Sequence, residues 1–306
     1  MSIMQGAAGG PGGRGIVLLL GLTLPAIVIW GLTFIAMHYG LAVVGPFTFA
    51  ALRFAVASLP LLPFVRRPRV PFGFLAAFGF FFGFGQFAML IFALHLGLPT
   101  GIASLLMQLQ AVLTPVMSAA VLRERISGPT ILALALSLVG LGLILNAAGH
   151  GPIGVVPFFL GVTASTSWAI SNVMIRIGVA RGYSYDSISL IVWASLLMPI
   201  PFAVLAALAG EITAESLRAI PAALPTALYL GLFGTVAAHT LWVRAMSVFD
   251  SATVAPFSLL IPVIGLSAGY LILGETLTRG EAAGCLLVIL GVVVHVLGTI
   301  VRQRRG

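Results

Sequence analysis

The chain has 306 residues, of which 60% are hydrophobic and only 7% charged, whereas a soluble domain carries about 25% charged residues. With a mean hydropathy of +1.18, this composition excludes a water-soluble surface. A formal net charge of +8 invites a nucleic-acid reading, but all 15 basic residues are arginine, and most sit in short connections between apolar stretches, as the loops of a membrane protein require.

Apolar runs of about 20 residues are candidate transmembrane helices. Helices are the expected form, because lipid offers no partner for an unpaired backbone group. A β-barrel would show short alternating segments, and these runs do not alternate. In chain order the expected spans are 16–37, 44–65, 72–94, 100–121, 129–146, 154–177, 186–208, 222–245, 252–272 and 281–301. The first is longer than a signal-peptide core and has no small-x-small cleavage site, so we read it as a permanent helix. Proline or glycine marks most connections: Gly45-Pro46, Pro68, Pro71, Gly97 to Pro99, Gly128-Pro129, Gly151-Pro152 and Pro221. Gly79, Gly83 and Gly85 lie inside the phenylalanine-rich third span rather than after a strand, so no phosphate loop is implied. The spacing of Gly79 and Gly83, and of Gly265 and Gly269, suits close helix packing in lipid. The lone Cys285 lies in the last span and is read as packing.

Ten spans put both termini on one side. Twelve of the 15 arginines fall on that side: Arg14, Arg66, Arg67, Arg69, Arg123, Arg125, Arg176, Arg181, Arg244, Arg302, Arg304 and Arg305. Arg218 and Arg279 fall on the other, and Arg53 lies inside the second span. The positive-inside rule then makes both termini cytoplasmic.

The sequence is duplicated. Trp30-Gly31-Leu32-Thr33-Phe34 echoes Trp168-Ala169-Ile170-Ser171-Asn172. Thr100 to Ile144 aligns without gaps on Ser251 to His295, which sets Glu124 on Glu275 and Gly140 on Gly291. Each half has an odd number of spans, so the halves oppose each other in the membrane. The expectation is an all-α integral membrane protein of ten transmembrane helices in two inverted five-helix repeats, 16–150 and 151–301. A cytoplasmic tail, 1–15, precedes them and a basic tail, 302–306, follows. Inverted repeats are the usual build of a secondary transporter, with the site between the halves.

The order and duplication of these features carry a resemblance. With Trp30 and Trp168 near equivalent positions, turns at Arg123-Glu124-Arg125 and Gly274-Glu275-Thr276, and a closing Leu273-Gly274-Glu275-Thr276-Leu277 followed by Gly284 and Gly291, the chain resembles EamA-type members of the drug/metabolite transporter superfamily. Within it the chain looks most like the bacterial YddG-type exporters of aromatic and other amino acids. The resemblance covers about Ile16 to Val301. It implies a ten-helix fold, a central cavity lined by both repeats, and export across the bacterial inner membrane. The first turn departs from the pattern, with Arg123 where the second has Gly274.

Candidate site residues follow from helical spacing. Trp30, Thr33, Phe34 and Met37 share a face of the first helix, as Ser167, Trp168, Ser171 and Asn172 share one of the sixth. Because the halves are inverted, the two indoles should lie toward opposite mouths as aromatic walls for an amphipathic solute; an interfacial belt is the competing reading. Gln108 on the fourth helix is a candidate for a solute's amino or carboxylate group, since an amide in hydrocarbon needs a partner; Gln110 points elsewhere. Phe84 on the third helix, with Gln86 slightly off its face, and His239 and Trp242 on the eighth complete the binding set. Pro115, Pro256 and Pro262 are candidate hinges, or ordinary packing, because proline bends a helix. Arg53 must face protein or water, either capping carbonyls or meeting a substrate carboxylate.

The leading reading is a secondary transporter that exports small amphipathic metabolites, amino acids including aromatic ones, by alternating access. No Asp or Glu sits deep in a span, so transport is either downhill or coupled to protons through His239. Multidrug efflux of cations is the alternative, weakened by the lack of a buried acid. A polytopic membrane enzyme is disfavoured because no catalytic cluster converges, and a non-transporting subunit would not need the duplication. No cofactor, metal or nucleic acid is implied; the partners are a small-molecule substrate and the bilayer, and a monomer suffices.

Overall fold

The computed structural model of the chain describes residues 13–98, 103, 106–147, 154–273 and 278–305, apart from the side chains of Arg14, Phe34, His38, Leu273 and residues 302–305. Its helices are α1 (Gly13–Leu41), α2 (Pro46–Ser58), α3 (Phe72–His95), α4 (Leu106–Leu122), α5 (Gly128–Ala147), α6 (Val155–Ala180), α7 (Ser187–Leu208), α8 (Ala214–Val248), α9 (Ser251–Ile272) and α10 (Arg279–Arg305). Eight are long and apolar enough to cross a membrane; α2 and α4 are shorter apolar helices. Among the described residues there is no strand, only an isolated antiparallel bridge between Arg69 and Ser184.

Two boundaries differ from expectation by well over a turn. Helix α8 starts at Ala214, well before 222, and runs through Pro221 and Pro225. Thr213 and Ser216 form a reciprocal cap there, each side chain bonded to the other's backbone N–H, which satisfies donors that would otherwise be orphaned. Helix α2 stops at Ser58, and turns carry the chain onward to Val65. Leu59 keeps helical geometry and donates to the Ala55 carbonyl, and Pro60, which has no N–H to donate, follows it.

Both third helices of the halves are widened. Phe80–Gly85 in α3 and Tyr229–Ala237 in α8 are π-helical, a form concentrated at functional sites because it shifts side-chain register and frees carbonyls. Helix α9 tightens instead into a 3₁₀ turn over Ala255–Leu260, with Pro256 just inside it. Pro256 has no N–H to donate, which favours such a local break.

The packing pairs helices across the two halves. Helix α1 lies against α8 and α9, and α6 lies against α3 and α4; α2 pairs with α7, and α5 with α10. The α5–α10 seam is the closest. A Cβ on Gly140 would sit 2.6 Å from the Gly284 carbonyl oxygen, one on Gly284 would sit 2.5 Å from that of Gly140, and one on Gly291 would sit 2.8 Å from that of Ala133. Glycine here allows backbone-to-backbone contact, which drives helix association where lipid supplies no hydrophobic gain.

Gly140→Leu should therefore cost about 1–3 kcal/mol through overpacking and lower the melting temperature of detergent-purified protein. Gly142→Ala, at an exposed position with nothing within 4 Å of the new Cβ, should leave it unchanged or raised. Equal effects would contradict the seam.

Candidate functional site

A cavity of about 630 Å³ lies between the halves. Its floor is made by Trp30 of α1, Met107 and Gln108 of α4, Trp168 of α6 and His239 of α8; Arg53 and Gln86 stand in its wall. From there it extends past Leu90, Leu94 and Gly265 to Leu41, Ala42 and Gly269, at the end of the bundle where α1, α3 and α9 finish. A second cavity of about 350 Å³ adjoins it between α1, α2 and α3, and Arg53, Phe87, Leu90 and Leu94 belong to both.

The π-helical turn of α8 builds the floor. Its Gly234 carbonyl accepts from the Trp30 indole N–H at 3.0 Å. His239 Nδ1 lies 3.0 Å from the same oxygen and 3.1 Å from the Thr235 carbonyl. Carbonyls only accept, so Nδ1 carries the hydrogen and Nε2 is the ring's acceptor. The His239 ring is held edge-on by Trp30 and Phe82, each 4.8 Å away between centroids.

Arg53 is fixed from two sides. Its Nε donates to the Thr235 hydroxyl at 2.8 Å, and that hydroxyl donates to the Leu230 carbonyl. Its guanidinium carbon lies 4.4 Å from the centroid of the Phe87 ring, within cation–π range. Among the described residues it has no carboxylate partner, and the two ion pairs found are elsewhere.

The other half of the bundle interior is filled. Trp30 meets Trp168 at 5.5 Å and Trp242 at 5.3 Å, both edge-on. Behind them the Trp242 indole N–H donates to Asn172 Oδ1 at 3.0 Å, Asn172 Nδ2 donates to Gln110 Oε1 at 3.0 Å, and Gln110 Nε2 donates to Ser258. Beyond that layer, where α4 ends and α9 begins, Arg176 of α6 donates to Glu124, Asp250 and the Met246 carbonyl. Glu124 Oε2 also accepts the backbone N–H and hydroxyl of Ser251, at 3.0 and 2.7 Å, a favourable place for an anion at a helix start. Arg123 makes this turn at φ 58°. The left-handed conformation there is one a glycine adopts without strain, so Arg123 occupies the glycine position of the sequence pattern and bears its cost. At the opposite end Glu211 caps α2 in the same manner, accepting from the Phe47 and Thr48 backbone N–H groups and the Thr48 hydroxyl.

Of the expected binding residues, Trp30, Gln108, Trp168 and His239 meet at the cavity. The two indoles do not lie toward opposite mouths; they meet edge-on beside the same cavity. Asn172 and Trp242 stand one layer behind the floor and engage each other. Phe84 packs against Phe80 and Phe202 and is not among the lining residues. The side chain of Phe34 lies outside the described residues. Pro115 is buried in α4, Pro256 in the 3₁₀ turn and Pro262 just beyond it. Gln110, expected to point elsewhere, is fully buried in the polar layer. Gln86 lines the cavity although simple helical spacing set it off the face: the π turn inserts a register shift just before it. Tandem phenylalanines and glycines over 78–85 are the available signal for such a turn, and a weak one.

The model of the EamA-like transporter family matches residues 15–146 and again 156–297; the chain belongs to this family and is a multi-pass membrane protein of transporter type. It is 34% identical to a "Probable amino-acid metabolite efflux pump" of Salmonella typhimurium, over 92% of this chain and 96% of that protein. A protein of the same description from Escherichia coli is 33% identical, over 90% and 94%. A solved crystal structure superposes with a TM-score of 0.77 at 20% identity, covering 92% of this chain and 97% of its own, which shows a shared fold.

Trp242→Phe should remove the donor to Asn172 and leave a buried acceptor unpaired, at a cost of about 1–3 kcal/mol. Thermal unfolding of the purified protein reads this directly; an unchanged midpoint would contradict the closed polar layer.

Proposed function

We propose that this chain is an exporter of small amphipathic metabolites, amino acids including aromatic ones, working by alternating access. In this reading ten helices cross the bacterial inner membrane as two inverted five-helix repeats, with both termini cytoplasmic and a monomer as the working unit. The pairing of α1 with α8 and α9, mirrored by α6 with α3 and α4, supports two equivalent halves, as do the two family matches. The names of the two relatives support an amino-acid metabolite as cargo.

One observation carries the mechanism. The cavity runs to one end of the bundle, while aromatic rings, an amide layer and the Arg176–Glu124–Asp250 cluster fill the other. That asymmetry supports an outward-open state with a closed cytoplasmic gate. Export then requires the gate to part and the mouth near Leu41, Leu94 and Gly269 to close, a rocking of one half on the other. The 3₁₀ turn of α9 is our hinge candidate, since such turns mark mid-helix hinges. No Asp or Glu lines the cavity among the described residues, so we favour downhill flux or exchange over proton coupling through His239.

The test is counterflow of labelled phenylalanine into proteoliposomes holding only this chain. Uptake should require internal amino acid and fall in Trp168→Ala. No flux of any amino acid would overturn the cargo, and no flux of any metabolite the transport reading itself.

Glu124→Gln should weaken the cytoplasmic gate. Charge-assisted hydrogen bonds contribute about 1.5–3 kcal/mol, so the ratio of outward-open to inward-open protein should fall by roughly tenfold or more. In a Cys285→Ala background, an Ala42→Cys probe at the mouth should then react more slowly with an impermeant thiol reagent. An unchanged rate would contradict the gate.

A further inference from the structure

The cavity is lined by one fixed cation, two amide side chains whose oxygens are buried without a partner, and no acid among the described residues. The cation is Arg53, only 6% exposed. Thr235 takes its Nε and Phe87 covers its face, while neither Nη donates to another described residue. Those two N–H groups form the fork that fits a carboxylate. A buried charge without a partner is costly, so a ligand that supplies the opposite charge gains where a neutral or cationic one does not.

The amides are Gln86 and Gln108, 5% and 2% exposed, each with a buried Oε1 that has no hydrogen-bond partner. Rotated toward the cavity, such an oxygen accepts from an ammonium group. Left as it stands, the amide donates to a hydroxyl or carbonyl instead. Had a carboxylate stood here, the ammonium would be demanded; an amide accommodates it without requiring it. The adjoining cavity at Arg53, walled by Met37, Leu41, Phe49 and Leu90, offers apolar room for a side chain beside the anchored carboxylate.

We propose that the cavity recognises its solute by a carboxylate on Arg53 and treats the α-amino group as optional. The substrate class is small monocarboxylates with an apolar or amphipathic side chain, zwitterionic or anionic, and amines without a carboxylate are rejected. This rests on the transport reading above for flux, but not for binding.

The test compares phenylalanine, phenyllactate (carboxylate without amine) and phenylalaninol (amine without carboxylate) as competitors of labelled phenylalanine in proteoliposomes. The same series is titrated against the tryptophan emission of the purified protein. Phenyllactate should match phenylalanine within about threefold, and phenylalaninol should be weaker by roughly tenfold or more, the worth of a charge-assisted bond. Arg53→Gln should erase that discrimination, and Arg53→Lys should keep its sign. Equal action of phenylalaninol, or failure of phenyllactate, overturns the inference while leaving transport standing. If nothing is carried, the transport reading falls, and the binding series alone decides the anchor by the same criterion.

Discussion

A guanidinium in the middle of an apolar bundle, with no carboxylate to meet it among the described residues, is the constraint on which the rest of this structure turns. Placing a charged arginine at the centre of a membrane helix costs about 2.5–3.5 kcal/mol on insertion scales. Three features offset this for Arg53. Thr235 accepts from Nε, the Phe87 ring lies against its face, and the side chain borders two cavities rather than packed hydrocarbon. Each depends on backbone geometry elsewhere. The π-helical turn of α8 aims Thr235 and His239 inward, and the corresponding turn of α3 brings Gln86 and Phe87 to the wall. Two widened helices from different halves thus hold one charge.

The same turns explain why the tryptophans meet. The Gly234 carbonyl, within the widened stretch of α8, fixes Trp30, whose indole ring stands edge-on to Trp168 and Trp242. Below these rings the bundle changes character from cavity to a chain of amides and then to an ion cluster. Glu124 is the tie there: it reaches across from the end of α4 to α6 and to the start of α9. Glu211 makes a comparable tie at the far end, from the second half onto α2. Each carboxylate belongs to one half and caps a helix of the other.

Much of this was legible in the sequence, for physical reasons. Long apolar runs permit little but helices in lipid, so the elements were evident, and the seam glycines Gly140 and Gly291 stood out through the duplicated alignment. Trp30, Trp168, Gln108 and His239 could be singled out because polar or amphipathic residues in an apolar helix need a reason to be there. Register was the weak point. Regular helical spacing favoured Phe84 over Gln86, because a π turn in α3 rotates the residues that follow it; it set Gln110 off the face of Gln108, and Gln110 does lie away from the cavity, buried in the polar layer. Pro221 looked like a loop marker, yet Thr213 caps a helix that runs through it. The partners of Arg53 could not be read at all, since Thr235 is 182 positions away.

The most direct measurement is the location of a bound solute. A crystal structure with a bromophenyl carboxylate would mark both ends of the ligand, the ring by anomalous scattering from bromine and the carboxylate by its density. The account predicts bromine in the cavity above Trp30 and Trp168, or in the adjoining cavity beside Phe49, with the carboxylate on the two Nη groups of Arg53. A ligand bound away from Arg53, for example in the groove between α5 and α10 lined by Pro129 and Gly298, would contradict it.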